Sequence, residues 1–127
     1  MPPRPVPTIV SRIALCAVAL LLAAAPPPSV AGDYEVNQME MGGGLRLQSD
    51  GRFLYALEYG AVSERSEGFW TLESGFLRLT TAPMPPKTEC DRGFGTACFN
   101  RTRLAPEEGN WVLDRWDARV VFHPLPR

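Results

Sequence analysis

The sequence predicts an all-β protein: a small antiparallel meander that closes into a barrel or a strongly curled sheet. Three observations predict it. Apolar residues alternate with polar ones over several short runs, the period of half-buried strands. Glycine-containing turns separate those runs, Ser49-Asp50-Gly51 and Glu73-Ser74-Gly75 being the clearest. Beyond residue 31, no ten-residue window carries apolar residues at the 3.6-residue spacing of an amphipathic helix.

The first 31 residues stand apart from this pattern. Arg4 and Arg12 precede an uncharged apolar run of 13 residues, 13–25. A bilayer-spanning helix needs about 20. Pro26, Pro27 and Pro28 end the run, and Ser29-Val30-Ala31 sets small residues three before and one before Gly32. A basic start, a short apolar core and a small-x-small exit form a secretory signal peptide, expected to be helical and cleaved at Gly32. Cys16 sits inside the apolar run behind Leu15, which is not where a lipid-modified cysteine stands. The expected organisation is a signal peptide, 1–31, then a single all-β domain, 32–127. That domain would be secreted or periplasmic, with no membrane span after cleavage.

The whole chain has 127 residues and a formal charge of −1. Past residue 31 there are 96 residues carrying 11 basic and 14 acidic side chains, a formal charge of −3. That length makes one domain with a modest core. It excludes a full dinucleotide-binding domain or an α/β barrel, and the charge excludes a strongly basic nucleic-acid binder.

The elements follow in order. Residues 34–41 form a first strand, joined to 45–48 through Gly42-Gly43-Gly44, read as a flexible turn or a bulge. Leu45 and Leu47 alternate with Arg46 and Gln48. After the Asp50-Gly51 turn, Phe53, Tyr55, Leu57 and Tyr59 alternate with Leu54, Ala56 and Glu58. A further strand runs from Val62 through Gly68-Phe69-Trp70, and another holds Leu77 and Leu79. Three prolines in residues 82–87 rule out a central strand there and give a loop. Residues 99–104 form a short strand, residues 105–110 a turn with room for a single helical turn near Pro106, and residues 111–122 a final hairpin or one bent strand around Arg115-Trp116-Asp117. Six to eight strands at this spacing favour a barrel over its rival, a sandwich. The expected interior set is Leu45, Leu47, Phe53, Tyr55, Leu57, Tyr59, Trp70, Leu72, Leu77, Leu79, Trp111, Val120 and Phe122.

After signal removal Cys90 and Cys98 are the two remaining cysteines, and the predicted compartment is oxidising. The seven residues between them include Gly93 and Gly95, so the segment can turn back on itself. A structural disulfide is expected, since a redox pair would show C-x-x-C spacing.

Leu45-x-Leu47-x-x-Asp50-Gly51-x-Phe53, Gly68-x-Trp70 and Gly75-x-Leu77-x-Leu79 together resemble small secreted lipocalin-like domains of bacterial envelopes. The resemblance spans residues 45–81, and it implies a β-barrel that can carry a small apolar ligand. Envelope copper-resistance lipoproteins share the barrel style but carry a lipidated cysteine and a C-x-x-C pair; with neither here, copper handling is not implied.

The remaining side chains give no catalytic, cofactor or metal set. His123 is the one histidine, near the C-terminus, and no Gly-x-Ser-x-Gly elbow occurs. Zinc needs three or four protein ligands. Met39 and Met41 put two thioethers on one strand face, which reads as core filling before copper binding. Glu64 with Glu67, and Glu107 with Glu108, read as solvated turn carboxylates. Arg92, Arg101, Arg103, Arg115 and Arg119 share the last third with five acids, as in a mixed-charge sheet surface. Trp116, flanked by Arg115 and with Arg119 nearby, is the best recognition surface in the sequence. The function expected is a non-enzymatic binding or structural role in the envelope or outside the cell, towards a small apolar ligand or an envelope protein, with carriage of the apolar ligand as the alternative.

Overall fold

A computed structural model of the chain describes residue 3 and residues 30–126. The predicted signal peptide therefore lies almost wholly outside the described residues. The strands are β1 (Gly32–Gln38), β2 (Met41–Leu47), β3 (Arg52–Tyr59), β4 (Val62–Glu73), β5 (Phe76–Thr81), β6 (Gly95–Thr96), β7 (Thr102–Glu107), β8 (Asn110–Arg115) and β9 (Ala118–Pro124). A single helical turn, α1, spans Lys87–Cys90.

The sheet order is β3-β2-β1-β9-β8-β7-β5-β4-β6, and β3 also pairs with β4. That extra pairing closes eight antiparallel strands into a barrel, with β6 added in parallel beside β4. Closure removes the exposed edges that an open sheet would leave. The turns at 39–40, 60–61 and 116–117 lie at one end; those at 48–51, 74–75 and 108–109 lie at the other.

Register explains the interior. Asp50 Oδ1 accepts a hydrogen bond from the Arg52 amide, fixing the turn between β2 and β3. Leu45 then faces Tyr55, and Leu47 faces Phe53. Phe53, Leu57, Leu77, Leu79, Leu104, Val120 and Phe122 are shut off from solvent. Tyr55 and Phe99 meet edge-to-face with ring centroids 4.9 Å apart, a favoured aromatic geometry. β4 is long because it serves two neighbours: its first half pairs with β3 and its second with β5. The two halves meet at Gly68, where an added Cβ would stand 2.0 Å from the Thr80 carbonyl oxygen. Only glycine permits that approach.

Several expectations need correcting. Gly42, Gly43 and Gly44 form neither turn nor loop; they are mid-strand in β2, and the turn is Met39-Glu40. Met39 is therefore at a turn tip and exposed, while Met41 is buried, so the two thioethers share no strand face. Leu72 shares the inward row, since it faces the buried Leu77, but it lies near the end of the β4–β5 hairpin and is exposed. Pro106 lies in β7 opposite Trp111, and the turn after it is only Glu108-Gly109. The helical turn forms at Lys87 instead, where Pro86 precedes it and the loop folds back toward Cys98.

Candidate functional site

Two arrangements of functional side chains stand out, one inside the barrel mouth and one on its outer wall. The first is built on β3, β4 and β8. Leu57 faces Glu64 across the β3–β4 hairpin, and because Leu57 points inward, Glu64 does too. Its side chain has no exposure. A lone buried carboxylate is costly unless paired and hydrogen-bonded. Arg115 supplies the pairing: its Nε donates to Glu64 Oε1 at 2.8 Å and its Nη2 to Oε2 at 2.6 Å. The Tyr55 hydroxyl donates to Oε1 at 2.7 Å.

The electrostatics follow from that contact. The hydrogen bond to Glu64 raises Arg115 above its ordinary range, against the opposing effect of burial. Burial first, and the neighbouring Glu64 charge second, push the Tyr55 phenol well above its usual range. The guanidinium lies between two rings, 5.9 Å from the Phe99 centroid and 5.2 Å from that of Trp116. Trp116 in turn packs on Tyr59, with centroids 6.0 Å apart. This cluster lies at the mouth of the barrel. Glu64, Arg115 and the Tyr55 hydroxyl are hydrogen-bonded to one another, which satisfies the buried carboxylate.

The second arrangement is a groove of about 800 Å³ on the outer wall. Its floor is set by register. Glu35, Gly44, Ala56 and Arg65 form one row across β1–β4, and Asp33, Arg46, Leu54 and Glu67 form the next. All are outward positions, alternating with the buried Tyr34, Leu45, Tyr55 and Glu64. Gly44 and Ala56 lower the centre of the floor, and Leu54 lines it with exposed apolar surface. Pro83 and Pro85 of the proline loop border one side, and Leu125 the other. Arg46 Nε is tied to Asp33 Oδ1 at 2.7 Å. Arg65 has no ion-pair partner among the described residues, nor has Glu35 or Glu67.

The disulfide Cys90–Cys98 is present, with Cα atoms 5.6 Å apart, within the usual bridging range. It staples the loop that brings β6 beside β4. Thr81 Oγ1 completes the seam, accepting from the Phe99 amide at 2.8 Å and donating to the Ala97 carbonyl at 3.1 Å.

The residues singled out as a recognition surface are split. Trp116 is 41% exposed at the β8–β9 turn. Arg115 points inward to Glu64, and Arg119 pairs on the outside with Glu107. Arg119 and Glu107 flank the outward-facing Val112, on the strand between them, which is buried. The three residues therefore do not form one surface. Glu64 is also a correction, since it is a buried ion-pair partner and not a solvated turn carboxylate. The signal for it was available: a two-residue turn at Gly60-Ala61 sets Glu64 opposite inward Leu57. His123 is exposed, with Nδ1 3.2 Å from Asn110 Oδ1. Among the described residues, no three His, Cys, Asp or Glu side chains cluster to hold a metal. No helix among them is long and apolar enough to cross a membrane. No protein-family model, curated protein or solved structure matches the chain.

Proposed function

We propose that this protein is a non-enzymatic binding module of the oxidising space outside the cytoplasm, and that it holds a small amphipathic ligand against the outer wall of the barrel. The observation that carries this reading is the outer groove. Its volume of about 800 Å³ falls in the range of small-molecule sites. The floor is apolar at Leu54, Ala56 and Gly44, while the unpaired Arg65 guanidinium offers an anionic group a partner. Buried aromatic and leucine side chains pack together in the interior. The disulfide suits an exported protein. A non-enzymatic role is supported by the commitment of the buried Glu64, Tyr55 and Arg115 to each other. The reading keeps the carrier role that the lipocalin-like resemblance implies, and places the ligand on the wall instead of in a cup.

An apolar dye with one sulfonate, 8-anilinonaphthalene-1-sulfonate, tests this. The wild type should bind it saturably with enhanced fluorescence. Ala56→Trp fills the floor and should weaken binding by roughly tenfold or more. Arg65→Glu should weaken it by roughly tenfold. Both variants should melt within a few degrees of the wild type, since both positions face outward. Non-saturable dye uptake, or equal binding by Ala56→Trp, defeats the reading.

A further inference from the structure

The two ends of the barrel differ in chemistry. At the far end the turn tips are polar, Ser49-Asp50, Ser74-Gly75 and Glu108-Gly109, and the exposed Leu72 and Leu125 lie behind them, on β4 and just past β9. At the mouth end the turns and the disulfide loop each carry a large apolar side chain. Met39 is 91% exposed on the β1–β2 turn, and Val62 borders the β3–β4 turn. Trp116 is on the β8–β9 turn, and Phe94 is exposed on the disulfide loop. Observed contacts hold these segments at one end. The Gly60 amide donates to the Glu40 carbonyl at 3.0 Å, joining the first two turns. The Tyr59–Trp116 ring contact joins the third. Gly95 pairs beside Glu64, which sets Phe94 one step nearer the mouth. Trp116 holds its place at φ 55°, where a bulky residue is strained.

We infer that this end docks on a zwitterionic lipid surface. Four exposed apolar side chains, Met39, Val62, Phe94 and Trp116, stand on four separate segments, with the half-buried Tyr59 packed against Trp116. Lipid packs around discrete tips, whereas a protein partner needs a continuous complementary face. Tryptophan and tyrosine suit the interface, having one apolar and one wet part. Charge selects the lipid. Glu40, Glu58 and Asp117 flank the tips, are exposed, and have no ion-pair partner among the described residues. Arg115 is spent on Glu64 and Arg119 on Glu107, which leaves Arg92, beside Phe94, as an exposed cation against these three carboxylates. An anionic bilayer meets like charge at these carboxylates. Ammonium headgroups meet both the carboxylates and the aromatic rings.

Vesicle partitioning tests the inference, with the protein purified from its host and its N-terminus defined by intact mass. Wild type should co-sediment with vesicles of phosphatidylethanolamine and phosphatidylcholine, and its tryptophan emission should shift to the blue. Replacing about a third of the lipid by phosphatidylglycerol should weaken partitioning at low salt, where surface charges act farthest. Met39→Glu and Phe94→Glu should each weaken it roughly tenfold. Their urea midpoints should not move, because both side chains are exposed. Ala56→Trp should partition like wild type, which separates this surface from the groove. Wild-type protein that stays in the supernatant overturns the inference, as does equal partitioning by Met39→Glu and Phe94→Glu. A lipid-free dimer abolished by Met39→Glu assigns the end to a second copy and overturns it too.

Discussion

Arg115 at the end of β8 reaches across the barrel mouth and grips both carboxylate oxygens of Glu64 on β4, 51 residues earlier in the chain. The two strands do not neighbour each other in the sheet. The pair therefore ties opposite walls together, with Tyr55 as a third member.

Breaking this pair from one side should cost more than removing it. Glu64→Gln leaves a partly buried guanidinium without its counter-charge, and should lower stability by about 3 kcal/mol. The double variant Glu64→Leu/Arg115→Met replaces the pair with apolar volume, and should be more stable than Glu64→Gln. Urea unfolding of the three proteins checks the order. A double variant less stable than the single one contradicts it.

Tyr55 gives the fold an alkaline weakness. Its folded-state pKa is raised, so the stability it contributes is intact below the unfolded tyrosine value of about 10. Above that pH the unfolded chain releases a proton that the folded chain keeps, and stability falls. Wild type should lose about 1.4 kcal/mol per pH unit more than Tyr55→Phe in that window. Urea midpoints from pH 8 to 11 measure the difference. Parallel curves would show that Tyr55 is not held in its neutral form.

The disulfide closes a short loop, and by chain entropy Cys98→Ser should lower stability by about 2–3 kcal/mol. Because β6 leans on β4 through this loop, hydrogen exchange should rise first at the Ala97 amide, which donates to the Arg65 carbonyl. Loss of stability with unchanged protection at Ala97 would place the effect elsewhere.

The alternation in β3 separates two neighbouring residues. Phe53→Ala removes a fully buried ring and should cost roughly 3–5 kcal/mol. Arg52→Ala removes a partly exposed guanidinium 5.0 Å from the Phe69 ring, and should cost about 0.5 kcal/mol. Equal costs would overturn the strand register.

Much of the fold was legible because period two and Asp-Gly turns are local signals. The β2–β3 hairpin, the inward run Phe53-Tyr55-Leu57 and the Cys90–Cys98 bridge follow from residues near one another in sequence. What stayed hidden is non-local. The glycines of β2 look like a turn, yet the strand passes straight through them; an added Cβ at Gly43 would stand 2.2 Å from the Ala56 carbonyl oxygen of the facing strand. Phe99, which reads as the start of a strand, lies before β7 begins at Thr102 and still enters the core, because its amide and carbonyl bond across to Thr81. Arg115 looks like a surface cation until Glu64 is known to face it. The groove is harder still, since its floor joins four strands at positions that each read as ordinary outward residues.

In the proposed reading the ligand is held outside the barrel. Native mass spectrometry of the protein, purified under mild conditions from its host, tests it most directly. Wild type should carry a bound small molecule, and Ala56→Trp, folded to the same melting temperature, should carry none. A wild type free of any adduct, or an adduct retained in full by Ala56→Trp, would contradict the account.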